Sequence, residues 1–163
     1  MPRIFIQTIL NASCPEPITG EWVELTNLDQ DDLKAAIAEI IEQSQHYPIQ
    51  RWEIGDYDGF YGLTPPLKTV LEVAQLIEEH GEAYALYAQN IGTDIADDFE
   101  DAYCGEWNSF KDYAIEQFDD VYAFNLCDYA RYYINYDKVA HDLKIDYFYE
   151  TSETGTVHVF RHL

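Results

Sequence analysis

Carboxylates constrain this chain more than any other feature. Its 163 residues carry 31 Asp and Glu against 9 Lys and Arg, a formal charge of −22. Self-repulsion at that level opposes compaction and exceeds what solubility asks for. Yet 47% of the residues are hydrophobic and 15% aromatic, too many for a disordered acidic tail. The chain is therefore expected to fold around a core of its own, and its charge to serve something other than folding. Nucleic acid and anionic membranes would repel it. Basic proteins, metal cations or a high-salt cytoplasm are the partners left.

Three cysteines, Cys14, Cys104 and Cys127, are widely spaced and odd in number, which argues against a disulfide framework and for a reducing compartment. The opening MPRIFIQTIL lacks an apolar h-region with a cleavage site, and no stretch approaches the roughly 18 apolar residues of a spanning helix. A cytoplasmic protein is expected.

Hydrophobic periodicity predicts an α+β chain with strands at both ends and an acidic, helical centre. Strands are expected at 3–9 and 21–26, joined by a loop over 11–20 that holds Pro15 and Pro17. Asn27 or Asp29 can cap a helix over 31–45, whose apolar stripe is Leu33, Ile37, Ile40 and Ile41. A third strand spans 51–57 and breaks at Asp58-Gly59. Thr64-Pro65-Pro66 reads as a helix start, with the helix running to His80-Gly81. Helical segments follow at 83–90, 94–103, 109–122 (capped by Ser109), 124–134 and 137–143, then a hairpin of 145–151 and 156–161. Three small subdomains are expected: α+β over 1–62, helical over 63–106, and α+β with the terminal hairpin over 107–163.

The acids of the centre fall at helical spacing. Asp94, Asp97, Asp98 and Asp101 form one set, and Asp112, Glu116, Asp119 and Asp120 a second. Like charges three or four residues apart cost roughly 0.2–0.5 kcal/mol per pair, so helix stability does not explain them. Their spacing of about 5–6 Å is comparable to that of phosphates along a nucleic-acid strand, one per about 3.4 Å of axis. Carboxylates also accept the bidentate Arg pairing that phosphates accept. Glu100, Glu106, Asp128, Asp137, Asp142 and Asp146 extend the set. Tyrosines interleaved with these acids suit an interaction surface. The plainer readings are a solvated helix face for any single acid and halophilic adaptation for the whole.

Sequence signatures of catalysis are lacking. The cysteines and five histidines show no zinc spacing, and Asp56-Tyr57-Asp58-Gly59 begins like a calcium loop without the ligands that should follow, so a turn is expected there. Cys104 has no neighbouring base and reads as a small buried cysteine. Phosphate loops and dinucleotide fingerprints do not occur. A carboxylate pair for hydrolysis is conceivable only because acids are so abundant. No cofactor and no metal are expected, and the chain is read as a non-enzyme.

Four stretches resemble a known family. They are Asn11…Gly20-Glu21-Trp22-Val23-Glu24-Leu25; Ile54-Gly55-Asp56-Tyr57-Asp58-Gly59-Phe60; Phe99 to Trp107 with Asp112-Tyr113-Ala114; and Tyr136 to Leu143 with Val157-His158-Val159-Phe160-Arg161. In order and coverage they resemble the ArdA antirestriction proteins, carried by plasmids, transposons, phages and some bacterial chromosomes. Lys138 and His141 depart from the family's acidic or arginine choices, and Asn135 lies where acids are common. The resemblance implies an elongated, curved protein of three small domains, dimerising through its C-terminal region. It also implies that the carboxylates from Asp94 to Asp146 stand in for DNA phosphates and block the specificity and methyltransferase subunits of type I restriction-modification enzymes. The alternative is an acidic binding protein for another basic client, such as a nucleoid protein or a transcription factor.

Overall fold

The computed structural model describes residues 1–11, 14–43, 51–93, 98–123 and 125–163, with backbone alone at 10–11 and 14–19. Among these residues stand seven helices, two of them single turns, and two three-stranded antiparallel sheets. The expected α+β class holds, with strands toward both ends. The chain divides into two compact units, Met1–Asp94 and Ile95–Leu163.

The first unit holds β1 (Arg3–Asn11), β2 (Cys14–Glu24), α1 (Gln30–Gln43), β3 (Arg51–Asp58), α2 (Val70–His80) and α3 (Glu82–Ile91). Its sheet has the order β2-β1-β3, and Ile4 of the central strand pairs with Val23 on one side and Tyr57 on the other. Period-two alternation buries Ile4, Ile6 and Thr8 while Arg3, Phe5 and Gln7 stay half-exposed. Leu33, Ile37 and Ile40, spaced for one helix face, are the buried stripe of α1. On β1's half-exposed positions Phe5 meets Trp22 at 5.4 Å, and the Arg3 guanidinium lies 4.8 Å above the same indole. The α1 start is a reciprocal cap. Asp29 accepts from the N–H groups of Asp31 and Asp32 at 2.8 Å each, and Asp32 accepts from the Asp29 N–H at 3.3 Å. Asn27 takes the left-handed conformation just ahead of it.

Two expectations fail here. The 11–20 loop is mostly strand, because β2 starts at Cys14. Pro15 and Pro17 are compatible with that since β2 is an edge strand, where an outward-facing residue needs no N–H. The 64–66 helix start is the second failure: α2 begins at Val70, after Thr69. A residue before proline is pushed toward extended backbone, so Thr64 and Pro65 resist the helix. Pro65 is instead buried, and its carbonyl accepts the Tyr57 hydroxyl at 2.8 Å. Of the 31–45 helix, residues 44 and 45 lie outside the described residues.

The second unit holds α4 (Phe99–Ala102), β4 (Tyr103–Trp107), α5 (Phe110–Val121), α6 (Asp128–Arg131), α7 (Tyr136–Leu143), β5 (Tyr147–Thr151) and β6 (Val157–Arg161). Its sheet order is β4-β6-β5, so the terminal hairpin is found as expected, with its second strand at the centre. β6 is buried at four successive residues, Val157 to Phe160, as a strand covered on both faces must be. Val157 and Val159 join Phe110, Tyr113, Ala114 and Ala140 in one cluster. Phe160 meets Phe148 at 5.0 Å and Tyr103 at 5.5 Å, with Phe99 6.3 Å away. His158 bonds the Tyr103 hydroxyl at 3.1 Å.

The helices expected at 94–103 and 124–134 are corrected. Residues 94–97 and 124 lie outside the described residues, and only the single turns α4 and α6 are helical in what remains. At Tyr103 the chain leaves the helix for a ladder with β6, a long-range pairing that local periodicity cannot reveal. After α5 the chain runs through turns, held by Arg131, which donates to the Ala123 carbonyl at 2.8 Å and to Asp119 at 3.0 Å. No described helix is long and apolar enough to cross a membrane.

Candidate partner-binding surface

Bases decide which carboxylates are left to face a partner. In the second unit Lys111 pairs with Asp137 at 2.6 Å and Arg131 with Asp119 at 3.0 Å. Lys144 reaches the Tyr149 hydroxyl at 3.2 Å and lies 4.9 Å over that ring. Arg161 sits over Tyr147, whose hydrogen bond raises the guanidinium's pKa further. Among the described residues Lys138 alone of that unit's five bases makes no such contact, so almost every cation is turned onto the unit's own groups.

The predicted acids then fall into two groups. Asp112, Glu116, Asp119 and Asp137 are engaged internally. Asp112 accepts from the Ser109 hydroxyl at 2.7 Å while the Ser109 oxygen accepts the Asp112 N–H at 3.1 Å, which is the expected cap of α5. Glu116 accepts the Trp107 indole N–H at 2.8 Å. Asp119 accepts both Arg131 and the Tyr136 hydroxyl, the latter at 2.7 Å, and that bond raises the phenol's pKa because ionising it would set two anions together. The run 112–120 is thus one helix, as the spacing predicted, but three of its four acids also hold the fold.

Asp98, Asp101, Glu106, Asp120, Asp128, Asp142 and Asp146 form the other group, exposed and without an ion pair among the described residues. Glu100 is exposed as well. Asp101 lies on the one-turn α4, whose Phe99 and Ala102 point inward, while Asp98 precedes it. Glu106 stands opposite His158 in the β4–β6 ladder. Asp94 and Asp97 lie outside the described residues.

Sequence reasoning overlooked the first unit. It holds sixteen acids against four bases, leaving −12, where the second holds fifteen against five, leaving −10. Glu21, Glu24, Asp31, Asp32, Glu39, Glu42, Glu72, Glu78 and Glu79 are all exposed there. Charge counted over the whole chain, in place of runs at helical spacing, would have found them. Arg3 pairs with Asp58 at 2.7 Å, Lys34 with Asp31 at 2.9 Å and Arg51 with Glu53 at 3.5 Å, so three of this unit's four cations sit on its own acids, Lys68 being the exception among the described residues. The Asp56–Asp58 segment is the end of β3 with a bend after it, and Gly59 carries φ +76° with the Met1 carbonyl where a Cβ would fall. Cys104 is half-buried, and burial pushes its thiol pKa upward, in line with a packing role.

Residues 17–158 match the model of a protein family described as antirestriction protein, ArdA. The chain belongs to the ArdA family. No curated protein matches it. Membership makes the chain an antirestriction protein.

Proposed function

We propose that this antirestriction protein acts as a DNA mimic, a non-catalytic, stoichiometric inhibitor seated in the DNA-binding groove of a type I restriction-modification enzyme. The target surface is that of the specificity and methyltransferase subunits. The observation that carries this reading is the division of labour just described: most bases are bonded to groups of their own unit, and many carboxylates in both units are exposed with no base beside them. Electrostatic steering would make association fast and salt-sensitive, and counterions released from the target groove would add affinity, as they do for DNA.

The same reading includes a homodimer through the C-terminal region and a three-part chain divided near residues 62 and 106. Exposed Leu126, Tyr129, Tyr132 and Tyr133 in the second unit support self-association, since Tyr132 is 85% exposed and a monomer gains nothing by showing such a patch. Two copies of −22 give −44. At one charge per about 1.7 Å of duplex axis, that is equivalent to roughly 75 Å of DNA. Cys104 and Cys127, both free thiols, are consistent with action in the cytoplasm.

The test is DNA cleavage by a purified type I enzyme, titrated with this protein at low and moderate salt. Inhibition should saturate at a fixed ratio of protein to enzyme, compete with DNA and fade as salt rises. Asp→Asn at Asp101, Asp120 or Asp128 alone should leave it nearly intact, whereas neutralising clusters should abolish it. Inhibition that is insensitive to competing DNA, or that collapses on one such substitution, would overturn the mimic. Selective capture of a nucleoid protein or transcription factor, without inhibition of cleavage, would favour a different basic client.

A further inference from the structure

The second unit carries a slot of about 270 Å³ between α5 and α7, lined by Gln117, Phe118, Tyr122, Val139, Asp142, Leu143 and Asp146. Its wall is apolar and aromatic: Val139 and Leu143 lie against the Phe110–Tyr113 core, and the rings of Phe118 and Tyr122 are 5.4 Å apart. Its polar groups are the Gln117 amide, the Tyr122 hydroxyl and two exposed carboxylates.

Three facts bear on what fits there. First, much of the lining lies at or just past the C-terminal ends of both helices, with Phe118 in the last turn of α5 and Asp142 in the last turn of α7. Helix C-termini carry partial negative charge, so Asp142 opposes the stability of its own helix and, like the dipoles, favours a cation nearby. Second, among the described residues no base pairs with Asp142 or Asp146. Lys144, beside them in sequence, is drawn onto Tyr149 and Phe110, Lys111 onto Asp137 and Arg131 onto Asp119, and Lys138 does not line the slot. Third, an apolar, aromatic wall beneath two carboxylates matches a side chain with an aliphatic stem and a flat cationic head. Guanidinium meets both demands, stacking on rings and pairing with carboxylate oxygens, where ammonium offers only a point charge.

We propose that this slot receives one arginine side chain from the basic surface of a partner protein, Phe118 and Tyr122 flanking the guanidinium and Asp142 and Asp146 accepting it. The inference rests on the mimic reading and deepens it. Most of the acidic surface would act diffusely, while this slot would act as an anchoring point with side-chain selectivity.

The test uses the full chain and a short arginine-rich peptide beside its lysine counterpart of equal charge, followed through the ring signals of Phe118 and Tyr122 in NMR titrations. The arginine peptide should bind several-fold more tightly and move both rings. Asp142→Asn with Asp146→Asn should weaken it about tenfold, while the same charge loss through Asp120→Asn with Asp128→Asn should weaken it no more than about threefold. Tyr122→Ala, at an exposed position, should reduce the preference for arginine over lysine even if the double carboxylate variant folds poorly. Equal losses from the two carboxylate pairs, or equal binding of the two peptides, would overturn the slot. So would a change in sedimentation caused by the Asp142/Asp146 variant, which would assign the slot to contacts between copies. None of these readouts depends on inhibition of cleavage, so the slot can fail while the mimic stands, and the reverse.

Discussion

The two units carry nearly the same charge on differently built cores. In the first, Ile4, Ile6, Val23, Leu33, Ile37, Val70, Val73 and Ile77 make a mainly aliphatic interior that also takes in the rings of Phe60, Tyr84 and Tyr87. In the second, rings dominate: Phe99, Phe110, Tyr113 and Phe160 are buried, with Tyr103, Trp107, Tyr147 and Phe148 beside them. Both units spend some acids on their own fold, the first using Asp29 to cap α1 and Asp58 to pair with Arg3. In the second, α5 lends Asp112, Glu116 and Asp119 to a cap, an indole and an arginine staple. A carboxylate near a small domain's interior can therefore serve the fold and the surface field together. Acidity alone does not tell which acids are available to a partner.

The contrast between cores gives the largest expected effect. Phe160→Ala removes a fully buried ring from the central strand and should destabilise the second unit by about 3–5 kcal/mol. Ile4→Ala, the same truncation in the aliphatic unit, should cost about 2–4 kcal/mol. Thermal unfolding followed by near-ultraviolet dichroism would measure both. Equal losses would mean that the ring-built core is no more demanding than the aliphatic one.

The difference between working and presented carboxylates comes next. Asp119→Asn weakens the Arg131 pair and the Tyr136 bond and should cost about 1–2 kcal/mol. Asp120→Asn, on the next residue, should fall within about 0.5 kcal/mol of the parent. Urea denaturation of the two variants decides this, and similar losses would erase the distinction drawn between the two groups of acids.

The smallest effect concerns Asp29 at the start of α1. Bonds from the N–H groups of Asp32 and then Asp31 hold its pKa below the ordinary 3.8. A depressed carboxylate pKa contributes stability that is present above pH of about 4 and lost as pH falls through the folded value. Asp29→Ala should therefore lower the melting temperature at neutral pH and narrow the gap to the parent at strongly acidic pH. A gap that widens on acidification would contradict the cap.

Helix α1 was legible because its whole signal is local: Asp29 for the cap and Leu33, Ile37 and Ile40 for the stripe. The same holds for α5, begun by Ser109, and for the terminal hairpin around Gly155. Strand β4 was not legible, since Tyr103–Trp107 becomes a strand only by pairing with β6, about fifty residues further on. Proline misled twice for one reason: its local preference was weighed without knowing that β2 is an edge or that Pro65 would be buried under Tyr57.

The sequence by itself determined the sign of the protein's field, the class of partner that field admits and the family to which the chain belongs, because charge and motif order do not depend on how the chain folds. Which carboxylates stay exposed and unpaired was decided by tertiary structure alone. Asp119 and Asp120 are adjacent and chemically identical, yet Arg131 and Tyr136 converge on one of them and leave the other in water. That outcome depends on side chains brought together by folding, and no property of either aspartate encodes it.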